Sequence, residues 1–246
     1  MKRKLFIASS LSAALAGCSA IGTKLNNNPH VHSVIDSAEG LNRALIGTHG
    51  LAKEYAPGDI SSTFPVDSLP TPSNAYYARI VKDHFASFTL VVDGAVAHPQ
   101  KISYAGLQHM RRATNITRHD CVEGWSAIAQ WSGVPLRDIL ALAKPRDDAK
   151  YVVFHCMDVD DQGTIYYESL DLQQARHPQA LLALQMNGRT ILPEHGAPVR
   201  LRVPTQLGYK SAKWIRRIEV VGSLGSLYGG AGGYWEDQGY EWYAGV

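Results

Sequence analysis

Short apolar runs separated by turn residues recur along this chain of 246 residues, and they limit the folds available to it. Residues 88–92 and 214–221 have the composition of strands, and Asp93 and Gly94 form a turn after the first of them. Helical patterns are short, as in residues 135–143. Because strands and helices do not alternate regularly, the pattern favours an α+β fold of mixed sheets and short helices over a doubly wound sheet. Further predicted strands cover residues 115–118, 151–156, 164–167 and 199–203, and a short helix capped by Ser103 covers residues 103–109.

The N-terminus has the organisation of an export signal. Lys2 to Lys4 form a positive segment, and residues 5–16 form an apolar segment too short to span a bilayer comfortably. The sequence Leu-Ala-Gly-Cys ends at Cys18, which predicts lipid attachment there and a mature protein tethered to a membrane in the periplasm. Two alternatives stay open, an ordinary cleaved signal and a degenerate twin-arginine signal at residues 3–7.

Charge argues against a nucleic-acid partner. The formal net charge is +2, and removal of the three basic residues at positions 2–4 leaves 21 basic against 22 acidic residues. A nucleic-acid groove needs clustered positive charge, and no such cluster is present in the sequence.

Three regions are predicted along the chain. Residues 1–18 are the signal peptide, and residues 19–72 are a tether with an N-terminal helical segment. Residues 73–246 form the catalytic domain. Within the second region the periodicity predicts helices over residues 37–46 and 51–55.

Cys121 stands in an unusually polar setting for a cysteine. The run from Arg118 to Ser126 places a histidine, two carboxylates and an arginine around this thiol. Most unpaired cysteines are buried small hydrophobic residues, so packing is one interpretation and chemistry the other. Cys156 is the second cysteine after the signal, and in an exported protein the two could also form a disulfide.

Together with the run around Cys121, three further segments resemble the sulfite oxidase superfamily of molybdopterin enzymes. They are residues 195–200 (His-Gly-Ala-Pro-Val-Arg), 208–214 (Gly-Tyr-Lys-Ser-Ala-Lys-Trp) and 232–237 (Gly-Gly-Tyr-Trp-Glu-Asp). The resemblance covers residues 74–246 and is strongest to the small bacterial branch that includes the periplasmic methionine sulfoxide reductase catalytic subunit. It implies the sulfite-oxidase-like fold and a molybdenum–molybdopterin cofactor.

The resemblance also implies roles for particular residues. Cys121 would be the metal ligand, since a thiolate is a soft donor of the kind such metals accept. Arg200 and Lys213 would bind the phosphate of the pterin, because a guanidinium and an ammonium form charge-assisted hydrogen bonds with it. His195 would contact the pterin. Ser211 and Ala212 would present backbone amides to the anion.

Five further positions follow from the same resemblance. Asn74 and Tyr77 match an asparagine–aromatic segment that touches the pterin, and Ala78 could contribute only its backbone. Cys156 stands where the reductase branch has a threonine that contacts the cofactor. Glu123 matches a glutamate near the metal, where it could accept or deliver protons.

The implied activity is transfer of an oxygen atom to or from a small substrate. Asp120 and Glu123 flank the predicted ligand, with Arg112 and Arg118 as compensating charges, and this favours a neutral S-oxide or N-oxide substrate over anionic sulfite. A membrane haem protein or other redox protein is the expected electron-transfer partner. The alternatives are sulfite oxidation and a non-catalytic lipoprotein with a disulfide between Cys121 and Cys156.

Overall fold

The computed structural model describes residues 50–67 and 71–246. One of its two sheets has five strands in a single row. Its strands are β1 Thr89–Gly94, β2 Gln100–Ser103, β5 Tyr151–Val159, β6 Ile165–Asp171 and β10 Ile215–Val221. The strand order is β2-β1-β10-β5-β6. The β1–β10 pair is parallel and the other pairs are antiparallel. The mixed pairing agrees with the predicted α+β class.

The strands of a second sheet are β3 Ala113–Asp120, β4 Ser126–Pro135, β7 Leu181–Met186, β8 Arg189–Thr190 and β9 Arg200–Arg202. Their order is β3-β4-β7-β8, with β9 paired to β7. Gly133 lies where β4 approaches β7, and a Cβ atom there would lie 2.0 Å from the carbonyl oxygen of Leu182. Any side chain at position 133 would therefore force these two strands apart.

The helices are short, and three of them begin at side-chain caps expected from their residue types, including Asp171, which accepts a hydrogen bond from the Gln174 amide. Ser103 accepts a hydrogen bond from the Gly106 amide, which confirms the predicted cap, and Asn74 accepts one from the Tyr77 amide. The α-helices are α1 Ala75–Lys82, α2 Tyr104–His109, α3 Leu136–Ala143 and α4 Leu172–Ala175.

One cluster of buried apolar side chains draws on both sheets. Trp131 of β4 and Trp214 beside β10 are both fully buried within it, as is Ile139 of α3. Burying one large apolar side chain stabilises a fold by about 1.5–3 kcal/mol, so this cluster is the main source of the free energy that holds the two sheets together.

The prediction of a helix over residues 51–55 is wrong. Glu54 forms a β-bridge with Thr117, and the Tyr55 amide donates to the carbonyl of Ile116 at 2.9 Å. Pairing with β3 satisfies backbone groups that a one-turn helix would leave open. Further along, the Ser61 amide donates to the carbonyl of Ile128, so part of the segment expected as a tether contacts the domain.

The predicted export signal with Cys18, and the predicted helix over residues 37–46, lie outside the described residues. Within residues 50–67 and 71–246, no helix has both the length and the apolar character needed to cross a membrane.

Candidate active site

Cys121 lies in the turn that connects β3 to β4. The turn is closed by its backbone, with the Cys121 amide donating to the carbonyl of Trp125 at 2.9 Å. Gly124 occupies a left-handed conformation there, with a φ of +88°, which favours glycine. The turn holds the half-buried thiol in the wall of a cavity. In the described residues both Cys121 and Cys156 are free thiols, so they do not form the alternative disulfide.

The thiol of Cys121 is poorly suited to ionise without help. Burial raises its pKa, and the negative charges of Glu123 and Asp67 act in the same direction. A hydrogen bond from the Glu123 backbone and the positive charge of Arg200 oppose the rise. A bound cation would supply the missing positive charge and hold this sulfur as a thiolate.

Carboxyl groups dominate the charged lining of the cavity. Asp67, Glu123 and Asp158 line it, and Lys213 is the one lysine or arginine among the lining residues that the structure describes. Lys213 Nζ forms an ion pair with Asp67 Oδ1 at 2.5 Å. The indole of Trp125 donates to Glu123 Oε2 at 3.0 Å and orients that carboxylate.

Three charged residues that the sequence placed near Cys121 lie outside the lining of the cavity, namely Asp120, Arg118 and Arg112. Asp120 forms an ion pair with Arg118 at 2.9 Å, and neither residue lines the cavity. Arg112 donates to the carbonyl of Gln108 and does not line it either. Side chains on successive residues of β3 alternate between faces, so proximity in sequence to Cys121 does not place them beside its thiol.

Two buried guanidinium groups lie on β9, behind the cavity. Arg200 is 2% exposed and Arg202 is 1% exposed, and both pack against the ring of Trp131. Arg200 donates to the carbonyl of His195 at 3.1 Å, and Arg202 donates to Nδ1 of His119 at 2.8 Å. In the described part of the chain neither forms a salt bridge, and the Nε atom of each has no hydrogen-bond partner.

Burial lowers the pKa of Arg200, and it lowers that of Arg202 to about 9 with help from the neighbouring positive charge of Arg200. A buried charge with unused donors is costly unless an anion satisfies it. This pair, together with a soft thiol in a cavity, therefore fits an anionic cofactor that carries a metal.

The predicted anion-binding segment also faces the cavity. Ser211, Ala212 and Lys213 follow a 3-10 helix at Gly208–Lys210, and all three line the cavity wall. The Ser211 amide already donates to the carbonyl of Gly208 at 3.0 Å, and its hydroxyl oxygen contacts Arg202. The predicted amide contact therefore depends on Ala212 more than on Ser211.

The remaining predicted residues lie outside the cavity lining. Asn74 caps α1 and donates to the carbonyl of Met157 at 2.7 Å. The Tyr77 hydroxyl donates to the carbonyl of Ala197 at 2.9 Å. Ala78 is exposed, and its amide donates to the carbonyl of Asn74 inside the helix. These contacts hold α1 against β5 and the segment around Ala197, and the predicted cofactor contacts of these three residues stay predictions.

His195 and Cys156 also lie outside the lining. His195 ends a 3-10 helix and lines a neighbouring cavity with Phe64, whose ring centroid is 5.6 Å from the histidine ring. Cys156 is buried on β5, and burial raises its thiol pKa well above the usual range. Such a thiol stays protonated at neutral pH, as expected of a packing residue, and its predicted cofactor contact is untested.

Several residues of the site were not expected from the sequence. Arg202 and Asp158 each lie two positions after a predicted residue, Arg200 and Cys156, on the same strand. A period of two places such pairs on one face, and this signal could have found both. His119 is buried against Gly208, where a Cβ atom would lie 2.6 Å from its Nε2. Asp67 and Trp235 also line the cavity. Trp235 stands in the run 232–237 that carries the resemblance, whereas no local pattern marks Asp67.

Comparison with known proteins agrees with this geometry. The model of the family described as "Oxidoreductase molybdopterin binding domain" matches residues 77–224. A putative protein-methionine-sulfoxide reductase subunit, YedZ1 of Azospira oryzae, is 37% identical over 248 aligned positions that cover 99% of this chain and 87% of the relative. The crystal structure of the sulfane dehydrogenase SoxCD from Paracoccus pantotrophus is similar in fold, with a TM-score of 0.51 and 20% identity. That match covers 72% of this chain and 46% of the SoxCD chain.

Proposed function

This chain belongs to the family of oxidoreductase molybdopterin-binding domains, and from that premise we propose that it reduces a neutral S-oxide such as methionine sulfoxide. The chain is an oxidoreductase whose cofactor is molybdopterin with molybdenum, and its fold is of the sulfite oxidase type. The substrate class is the proposal. It is supported by the 37% identity to a relative named as a putative protein-methionine-sulfoxide reductase subunit.

In this proposal residues of the cavity and of β9 bind the cofactor. Cys121 holds the metal through its sulfur, and Arg200 and Lys213 bind the anionic end of the pterin. The bound cofactor supplies the two-electron redox chemistry and the exchange of an oxygen atom. Glu123, oriented by Trp125, can accept or deliver a proton close to the reacting sulfur–oxygen bond.

One observation carries the choice of substrate, namely the carboxyl-rich lining of the cavity. Asp67, Glu123 and Asp158 line it, and Lys213, which also lines it, is paired with Asp67. In a site with low dielectric, like charges at about 4 Å repel by several kcal/mol. A sulfite anion is therefore disfavoured in this cavity relative to a neutral S-oxide.

We expect the purified holoenzyme to contain about one molybdenum per chain and to prefer S-oxides. The experiment measures kcat/KM for free methionine sulfoxide with a reduced viologen dye as electron donor, and for sulfite with an electron acceptor dye. A difference of about 3 kcal/mol between the substrates corresponds to a ratio of about 100 in favour of the S-oxide. Faster turnover of sulfite would contradict the proposed substrate. Protein without molybdenum but with a disulfide between Cys121 and Cys156 would support the non-catalytic lipoprotein instead.

We further propose that the protein is exported to the periplasm, carries lipid on Cys18, and receives electrons from a membrane haem protein or another redox protein. The support for export is the charged and apolar N-terminal segment that ends in Leu-Ala-Gly-Cys. The signal peptide over residues 1–18, the tether over 19–72 and the catalytic domain over 73–246 belong to the same proposal. A tethered enzyme would stay within reach of a redox partner in the membrane.

We expect Cys18→Ser to release the protein from membranes without a loss of catalysis. Stable anchoring takes two membrane-binding signals, such as two acyl chains, and the serine variant can carry none on this residue. The measurement is the distribution of protein and of S-oxide reductase activity between soluble periplasmic and membrane fractions. Ser19→Ala is the matched control and should stay on the membrane. Wild-type protein found wholly in the soluble fraction would favour ordinary signal cleavage.

A further inference from the structure

Asp158 lies in the wall between two cavities. It is on β5, 8% exposed, and lines the cavity that holds Cys121. It also lines a neighbouring cleft with Asp160, Asp161 and Thr164. Asp161 and Thr164 are exposed, so this second cleft opens to solvent. One carboxyl group thus borders both the interior of the site and a route to bulk water.

One oxygen atom of the Asp158 carboxyl group takes no part in the hydrogen bonding of the fold. Its Oδ1 atom is buried and has no hydrogen-bond partner in the described part of the chain. A buried polar atom without a partner is uncommon and calls for a functional explanation. Burial raises the pKa of Asp158 to about 7, and a backbone hydrogen bond and the positive charge of Lys213 limit that rise. At neutral pH this group therefore exists in both protonation states.

Tyr166 is the other residue shared by the two cavities, and it cannot perform the same task. Its hydroxyl donates to the carbonyl of Tyr209 at 2.9 Å, and burial raises its pKa well above the usual range. On the solvent side, Asp160 accepts hydrogen bonds from the Gln162 and Thr164 amides and from the Tyr234 hydroxyl. These bonds, led by the one from the Thr164 backbone, lower the pKa of Asp160, so that it stays ionised and attracts protons to the mouth of the cleft.

We propose that Asp158 is a proton donor of the site, which takes protons from the solvent-facing cleft and delivers them to the oxygen atom that leaves the substrate. This inference rests on the proposed S-oxide reduction. That reaction consumes two electrons and two protons, because the sulfur–oxygen bond breaks, sulfur is reduced and the oxygen leaves as water. The electrons come from a redox partner or a reduced dye through the cofactor. After each transfer the Asp158 carboxylate is reprotonated from the cleft.

The charged and titratable surroundings of Asp158 come from several elements. The positive charge of Lys213 favours the ionised form of Asp158, and the negative charge of Asp67 favours its protonated form. The negative charge of ionised Asp158 also acts on three neighbouring groups. They are the Cys156 thiol on β5, the Tyr166 hydroxyl on β6 and the Tyr234 hydroxyl in the C-terminal segment. These three groups are protonated at neutral pH, since burial raises the pKa of each, so the balance between Lys213 and Asp67 sets the charge around the carboxyl group.

The test compares Asp158→Asn with wild type in loaded enzyme. General acid catalysis contributes about 100-fold or more, so we expect kcat for S-oxide reduction to fall by about 100-fold and its decline above neutral pH to disappear. Molybdenum and pterin contents should equal those of wild type. Asp158→Glu keeps a carboxyl group and should therefore restore part of kcat together with its pH dependence. Asp148→Asn removes an exposed carboxyl group elsewhere and should leave both kcat and its pH dependence unchanged.

A second measurement does not depend on turnover. Infrared difference spectra of wild type should show a protonated carboxyl group that titrates near pH 7, and Asp158→Asn should lack that signal. An unchanged pH profile in Asp158→Asn would overturn the proposal, as would loss of the pterin from that variant, which would make Asp158 a cofactor-binding residue. If wild type does not reduce S-oxides but the infrared titration is present, the proposed substrate is wrong, and Asp158 is a titrating group of the site without the assigned role in S-oxide reduction.

Discussion

Replacement of Cys121 with serine should abolish S-oxide reduction and strip the protein of molybdenum. A serine hydroxyl is a harder donor and far less acidic than a thiol, so it cannot replace the sulfur ligand. Loss of residues that merely support metal ligands weakens metal binding by about 10–100-fold, and loss of the ligand itself should cost more. Metal analysis of purified protein and the viologen assay measure both effects. The fold should persist, because residue 121 is half-buried in a turn and not part of the core.

Cys156→Ala is the matched control for that experiment. Its thiol is buried in the core beside β10, so the variant loses packing and a small amount of stability but should keep its metal. Near-normal turnover in Cys121→Ser would end the assignment of Cys121 as the metal ligand. Complete loss of molybdenum in Cys156→Ala would show that the second thiol has a larger part in the site than packing.

Lys210→Met should destabilise the protein by about 3–5 kcal/mol, the usual result of removing one partner from a buried ion pair. Lys210 is fully buried and contacts Glu168 and, at 2.6 Å, Glu236. These contacts join β6, the 3-10 helix at Gly208–Lys210 and the C-terminal segment. Without the ammonium group, two buried carboxyl groups would face each other with no positive charge.

The loss should depend on pH. Burial raises the pKa of Glu168 well above its usual range, so this carboxyl group favours the fold when protonated and opposes it as pH rises through the raised value. Lys210→Met should therefore be less destabilised at pH 5 than at pH 8, as measured by urea unfolding at both values. Lys101→Met, at an exposed position on β2, is the control and should change stability by less than about 0.5 kcal/mol. Equal stability of Lys210→Met and wild type at pH 8 would contradict the role of this cluster.

Sequence patterns predicted most of the strands because their apolar runs are bounded by clear turn residues. The turn predicted at Asp93 and Gly94 comes slightly later, because both residues still pair with β10 as the last two positions of β1. Asn187 and Gly188 form the turn between β7 and β8. Strand β4 was missed because its residues Ser126–Pro135 are small and polar in places, and its burial comes from strands on both sides. The helix α1 was missed as well, since its apolar positions are few and only the Asn74 cap marks its start.

Some residues of the candidate site could be predicted from local sequence motifs, and others could not. Cys121, Glu123 and the segment 211–213 belong to local motifs, and the structure places all of them at one cavity. Asp67 reaches that cavity from a distant part of the chain, and no local pattern marks it. Asp158 and Trp235 stand in segments that the sequence does mark, the strand of Cys156 and the run 232–237. Their places at the cavity depend on tertiary packing and on strand register.

Asp67 and Lys213, which form an ion pair in the cavity wall, are 146 positions apart, and the hydrogen bond from Asn74 to Met157 spans 83 positions. Bringing such distant residues together costs the entropy of closing the intervening chain, so contacts of this kind favour slow folding. The wall of the cavity is complete only when the two ends of that long stretch have met. A fragment that lacks either end therefore cannot form the binding site.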